Sequence, residues 1–254
     1  MSNPIELNEE FPHLSKAPII EAAIEIRIVP HTKWDESTII NELKQRFPDY
    51  PKIEPLKLTK IQISPSANQK NQSFDLGCVG FKLHSGDNLN IVQFNKGAFI
   101  FSRLKPYVNW EPFCQEAFRL LTIYHDLFKL GLETKIIRIG LRFINRISIK
   151  HNNVKLADYY QYPPESLKNT GWPLSGYLHH DVMQIPDTDY SVNLIKTIQN
   201  IPDEIGLILD IDVFTQPQFQ YNDSKLINYL EEMRWIKNKI FFSSITDKVL
   251  SELK

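Results

Sequence analysis

The run Arg138-Ile-Gly-Leu-Arg142-Phe-Ile-Asn-Arg146 places three guanidiniums at every fourth position. In an extended strand alternate side chains share a face, so Arg138, Arg142 and Arg146 point the same way, each about 13 Å from the next. Guanidinium forks meet phosphate or carboxylate oxygens two at a time, so the row could engage an anion, a nucleotide or a nucleic-acid backbone. Arg27, in a second alternating run, adds a fourth cation of the same kind.

Acidic residues have the same layout. Glu21 and Glu25 precede Arg27, and Asp210 and Asp212 alternate with Leu207, Leu209, Ile211 and Val213. Three readings follow. The arginines could form an anion-binding surface. They could instead pair with the acids across neighbouring strands, each pair contributing about 0.2 to 1 kcal/mol and leaving a solvated, self-neutralised face. Or Glu21, Glu25, Asp210 and Asp212 could hold Mg²⁺ or Mn²⁺ while the arginines grip a polyphosphate, the division of labour of metal-dependent phosphoryl chemistry. Glu21-x-x-x-Glu25-x-Arg27 loosely resembles the ExExK strand of the triphosphate tunnel enzymes, with its first Glu displaced by two residues.

The elements that must carry these residues are legible from periodicity. Ile19 to Val29 alternates as a half-buried strand with Ile20, Ala22, Ile24, Ile26 and Ile28 inward. A helix with Ile39, Ile40, Leu43 and Phe47 on one face follows, begun near Thr32 and Asp35 and ended by Pro48 and Pro51. Four short strands, 56–63, 74–83, 89–94 and 98–103, are separated by turns so short that they must pair antiparallel. A long helix capped by Asn109 carries Phe113, Ala117, Leu120, Leu121, Tyr124 and Phe128 at helical spacing. The strand 137–149 then turns Ile137, Ile139, Leu141, Phe143, Ile147 and Ile149 inward, with Asn145 the polar exception. Three more strands near 176–185, 190–199 and 206–214 precede a helix over 223–239 and a short last helix capped by Thr246. Polar loops are expected at 65–73 and 215–223.

Strand, excursion, antiparallel strands, helix thus occurs twice. The expectation is an α+β fold with antiparallel sheets covered by helices. Residues 1–17 form a polar leader, and 18–134 and 135–254 form two loosely similar halves that either abut or make one continuous domain.

Lysine and arginine number 29 against 30 acids, a net charge of −1, so no protein-wide field holds the chain on nucleic acid or a membrane surface. Any anion site is local. No apolar run reaches the ~20 residues needed to span a bilayer, and no export signal is apparent. Two cysteines, Cys78 and Cys114, supply neither a disulfide framework nor a zinc site, which fits a reducing cytoplasm. His179-His180-Asp181 is the one histidine pair, and neighbours on a strand point to opposite faces, so the two cannot share an ion there. Phe99 and Phe101, beside Arg103 and Lys105, suit a core more than a base-stacking platform. Nucleotide-fold, P-loop, hydrolase-elbow and zincin motifs are absent.

Three stretches together resemble a sporadically distributed, uncharacterised family of bacterial proteins of about this length: 17–27, 138–146 and 238–247. Leu209-Asp-Ile-Asp-Val213 is similar to that family too. The resemblance implies a bacterial, cytoplasmic protein, often in mobile-element or defence gene neighbourhoods, and carries no catalytic residue with it. The resulting expectation is a binding or interaction protein that engages an anionic ligand through Arg27, Arg138, Arg142 and Arg146. The alternatives are a metal-dependent phosphohydrolase and a subunit serving a protein partner encoded nearby.

Overall fold

The computed structural model describes residues 5–30, 35–62, 72–128, 130–131, 134–149, 155–163, 176–202 and 204–254. Thr32 and most of the loop 65–73 lie outside them. The elements run β1 (Ile19–Ile28), α1 (Glu36–Arg46), β2 (Lys52–Gln62), β3 (Gln72–His84), β4 (Asn90–Asn95), β5 (Ala98–Leu104) and α2 (Trp110–Leu127). After these come β6 (Lys135–Ile149), β7 (Leu178–Gln184), β8 (Tyr190–Ile201), β9 (Glu204–Thr215), β10 (Phe219–Gln220), α3 (Asp223–Ser244) and α4 (Asp247–Leu253). The loop 215–223 is therefore not wholly irregular, since β10 pairs Phe219 with Ile136 of β6.

All strands join one antiparallel sheet in the order β2-β3-β4-β5-β1-β6-β9-β8-β7, with β10 beside β6. The two strands that open the repeated pattern, β1 and β6, pair with each other at the centre. On each side of them the last meander strand comes next, β5 beside β1 and β9 beside β6. The sheet thus runs without a break from β2 at one edge to β7 at the other, and its middle strands are the ones that carry the arginines and acids.

Alternation puts the apolar half of each strand on one face, against α1, α2 and α3. Ile24, Ile26, Phe94, Phe99, Phe101, Leu141, Phe143, Leu209 and Ile211 are buried there with Leu120, Tyr124, Leu230 and Met233. Phe94 stands between Phe47, Phe99 and Tyr124, with ring centroids 5.3, 6.0 and 5.7 Å away. Phe99 and Phe101 are therefore core residues. Of the predicted caps, Thr246 accepts from the Val249 amide, whereas Asn109 sits at the α2 N-cap position without a side-chain capping bond. Asn222 caps α3 by accepting from the Lys225 amide at 2.9 Å.

Two bulges correct the strict alternation. The β1–β6 register slips between Ile19 and Glu21, so Ile19, not Ile20, fills the core position. It slips again between Arg27 and Ile28, where β6 holds the extra residue. Ile136 is buried and Ile137 is 38% exposed, the reverse of the predicted inward set. An inserted residue moves every side chain beyond it to the other face, which periodicity cannot foresee. Asn145, on the core face, satisfies its amide by donating to the Leu209 carbonyl at 3.1 Å.

Candidate functional site

The face turned away from the helices gathers the charged residues. Glu21, Ala23, Glu25 and Arg27 come from β1, Arg138, Gly140, Arg142 and Ile144 from β6, and Asp210 and Asp212 from β9. Register places Glu25 opposite Gly140, and Arg142 between Ala23 and Asp212. The arginines nevertheless pair diagonally, since a guanidinium reaches past its direct neighbour. Arg142 donates through Nε and Nη2 to the two oxygens of Asp210, at 2.8 and 2.5 Å. Arg138 bonds Glu25 through Nη1 and meets Asp212 through Nη2 at 3.4 Å.

Gly140 makes the second arrangement possible. A Cβ there would fall 2.5 Å from Arg138 Nη1, so the bare glycine is the floor on which the guanidinium lies. Its central carbon also sits 4.9 Å from the centroid of Phe214, directly across from Gly140. Glu25 further accepts from Arg27 Nε at 2.8 Å. Asp212 accepts from Asn193 at 3.4 Å, and Asn193 in turn meets His180 Nε2 at 3.3 Å. A single chain of polar contacts therefore crosses five strands, from His180 on β7 to Arg27 on β1.

Burial sets the electrostatics. Loss of water pushes the Asp212 carboxyl up from its usual range, and Arg138, Asn193 and Arg142 offset this only in part. The bond to Asp210 raises the Arg142 guanidinium, so it stays charged throughout the accessible pH range. Asp210 is 9% exposed beneath Arg142, whereas the side chains of Arg142 and Arg27 are 50% and 53% exposed.

These side chains line a cavity of about 360 Å³, walled by Glu21, Glu25, Arg27, Arg138, Arg142 and Asp212. Gln93, Ser102, Ile100 and Gly140 also contribute to its wall. Three of the four predicted arginines are thus brought together. Arg146 is separate: its aliphatic stem packs on Gly206 and its Nε is buried with no partner among the described residues. Of the acids, Glu25, Asp210 and Asp212 already accept from arginine. A metal there would have to displace guanidiniums, and no group of three or more His, Cys, Asp or Glu among the described residues is placed to hold one.

The remaining candidates behave as their strand or helix positions require. His179 bonds Asp181 at 2.8 Å on one face of β7 while His180 points to the other. Cys78 is buried and Cys114 half-buried, neither in a disulfide, and burial pushes the Cys114 thiol up to about 11. Among the described residues no helix is long and apolar enough to cross a membrane.

Gln93, Ser102, Asn193 and Phe214 escaped the sequence reading, because their roles depend on cross-strand register. A different omission had a signal. The buried stripe of α3 includes Leu226, Leu230, Met233, Ile236 and Phe241, and Lys237, half-buried, stands at its edge four residues after Met233 and four before Phe241. A lysine half-buried beside a core stripe is informative. No protein-family model matches the chain, and a search of curated proteins finds no match.

Proposed function

We propose that this is a binding protein that takes an anionic ligand, a nucleotide or a short single-stranded nucleic-acid segment, in the cavity on the helix-free face of the sheet. One observation carries the reading: Arg27 and Arg142 line that cavity half-exposed and with donors to spare. Among the described residues Arg27 spends only Nε, on Glu25, and Arg142 leaves Nη1 unengaged. A phosphate can therefore be received without dismantling the buried acceptors. Arg138, held between Glu25 and Asp212 and stacked on Phe214, is the positioning element. The volume, near the lower end of ligand clefts, suits one nucleotide unit better than a duplex.

The test is a titration with ATP and with a short thymidine oligonucleotide, comparing the wild type with Arg27→Ala/Arg142→Ala. The double variant should bind at least about tenfold more weakly, since charge-assisted hydrogen bonds are lost. Equal affinity in the two proteins, or no binding by the wild type, removes the proposal. Co-purification with a protein partner in that second case would support an interaction subunit instead.

A further inference from the structure

A second cavity, of about 250 Å³, lies on the helix side of the sheet, where the segment 11–19 and the segment 107–110 meet α3. Its walls include aromatic rings, among them Tyr107, Trp110 and Phe242, and its charged or titratable lining consists of His13, Tyr107, Arg234 and Lys237 with no Asp or Glu. The arginine-lined cavity is different, since there three acids accompany three arginines.

The two cations of the helix-side cavity are not equivalent. Arg234 is offset by Glu231 at 3.2 Å and Glu111 at 3.8 Å, and rests on the Trp110 ring. Lys237 has no carboxylate among the described residues. Its ammonium lies 4.1 Å from the centroid of the buried Phe143 ring, and that ring is flanked edge-on by Tyr107 and Phe113. A cation–π contact recovers part of the lost hydration and supplies no counter-charge. Burial, with Arg234 nearby, pushes the amine down to about 7. A lysine left so is short of one thing, an anion.

We propose that this cavity is a binding site for a small organic acid, its carboxylate on Lys237 and its apolar or aromatic body against Trp110 and Phe242. The site is independent of the arginine-lined cavity and demands a different ligand: one charge and a hydrophobic body in place of a polyanion. The aromatic walls give the body its burial, and the ammonium, without a carboxylate among the described residues, gives discrimination for an acid over its neutral analogue.

Benzoate and benzyl alcohol are matched probes, read by saturation-transfer NMR and by the fluorescence of Trp110, which lines the cavity. Benzoate should bind the wild type and benzyl alcohol about tenfold more weakly or worse. Lys237→Met, which preserves length and removes the charge, should lose the preference for benzoate while remaining folded by circular dichroism. Arg27→Ala/Arg142→Ala should bind benzoate as the wild type does, so failure of the nucleotide reading leaves this one standing. No benzoate response at millimolar concentration, equal binding of the alcohol, or undiminished benzoate binding in Lys237→Met would each overturn it.

Discussion

Replacing Lys237 with Met should stabilise the protein, by an amount that depends on pH. Lys237 is half-buried on α3, its ammonium over Phe143. Burial first and Arg234 second bring its amine from the ordinary 10.5 down to about 7. At about 1.36 kcal/mol per pH unit, keeping this amine charged in the fold costs up to ~5 kcal/mol relative to the unfolded chain. Lys237 is only half-buried, and its remaining exposure to solvent relieves part of that, which leaves about 2 to 4 kcal/mol. Because the folded value lies below the unfolded one, the unfolded chain holds the extra proton between about pH 7 and pH 10.5. Wild-type stability therefore rises with pH through that window, and the penalty is complete only below it. Methionine, similar in length and apolar, carries no such penalty at any pH. The other charged or titratable groups that line the cavity, Arg234 from α3, His13 from the N-terminal segment and Tyr107 from the segment before α2, are common to both proteins and largely cancel in the difference. Urea unfolding followed by circular dichroism at about pH 6, 7.5 and 9 measures it. The variant should be more stable by about 2 to 4 kcal/mol at the lowest pH, with the gap narrowing steadily. A variant less stable than the wild type at about pH 6, or a gap independent of pH, would show that the ammonium is not desolvated, and would take with it the case for a site there.

Gly140→Ala should cost about 1 to 3 kcal/mol, because the clashing nitrogen is held part-buried between Glu25 and Asp212 and must leave its acceptors to give way; the Arg138 Nε–H resonance should shift and nucleotide affinity fall, and an unmoved resonance would contradict the flat-lying guanidinium. Phe94→Ala removes a fully buried ring in contact with Phe47, Phe99 and Tyr124. It should cost about 3 to 5 kcal/mol in urea unfolding, and a cost under about 1 kcal/mol would place the core elsewhere. Asn222→Ala deletes the side-chain cap of α3 and should lower stability by about 1 kcal/mol, with Asn222→Asp retaining most of it.

Much of the architecture was legible because it follows from periodicity. The strands, α2, the closing helices and the repeated order all come from apolar residues recurring every second or every third to fourth position. What failed did so for local reasons. The bulges at Ile20 and Ile137 insert one residue each, and an insertion leaves no mark in composition. Asn109 has the right residue type for a cap and makes no capping bond, since type permits the geometry without enforcing it. The candidate site was legible as a set and not as a geometry. Arg27, Arg138 and Arg142 do converge with Glu21, Glu25 and Asp212, but only the register reveals that Arg142 reaches diagonally to Asp210 and that Gly140 seats Arg138. Arg146 shares the spacing of its partners and not their cavity, because it lies past the end of β1, whose terminal Ile19 pairs with Asn145.

The pairing also decides how the arginine-lined cavity should respond to salt. Four uncompensated arginines gripping a single strand would release counterions at about 0.7 per contact, a slope of log affinity against log salt near −3. Here Arg138 is bound on both sides by carboxylates and the buried Nε of Arg146 lies apart. Only Arg27 and Arg142 can turn toward a phosphate, so the slope for a thymidine oligonucleotide should be no steeper than about −1.4. Arg27→Ala/Arg142→Ala should bring it close to zero, whereas Arg146→Ala should leave it unchanged. A wild-type slope near −3 would mean that the ion pairs on the sheet open when ligand arrives, and that the acids are a latch on the arginines rather than their permanent partners.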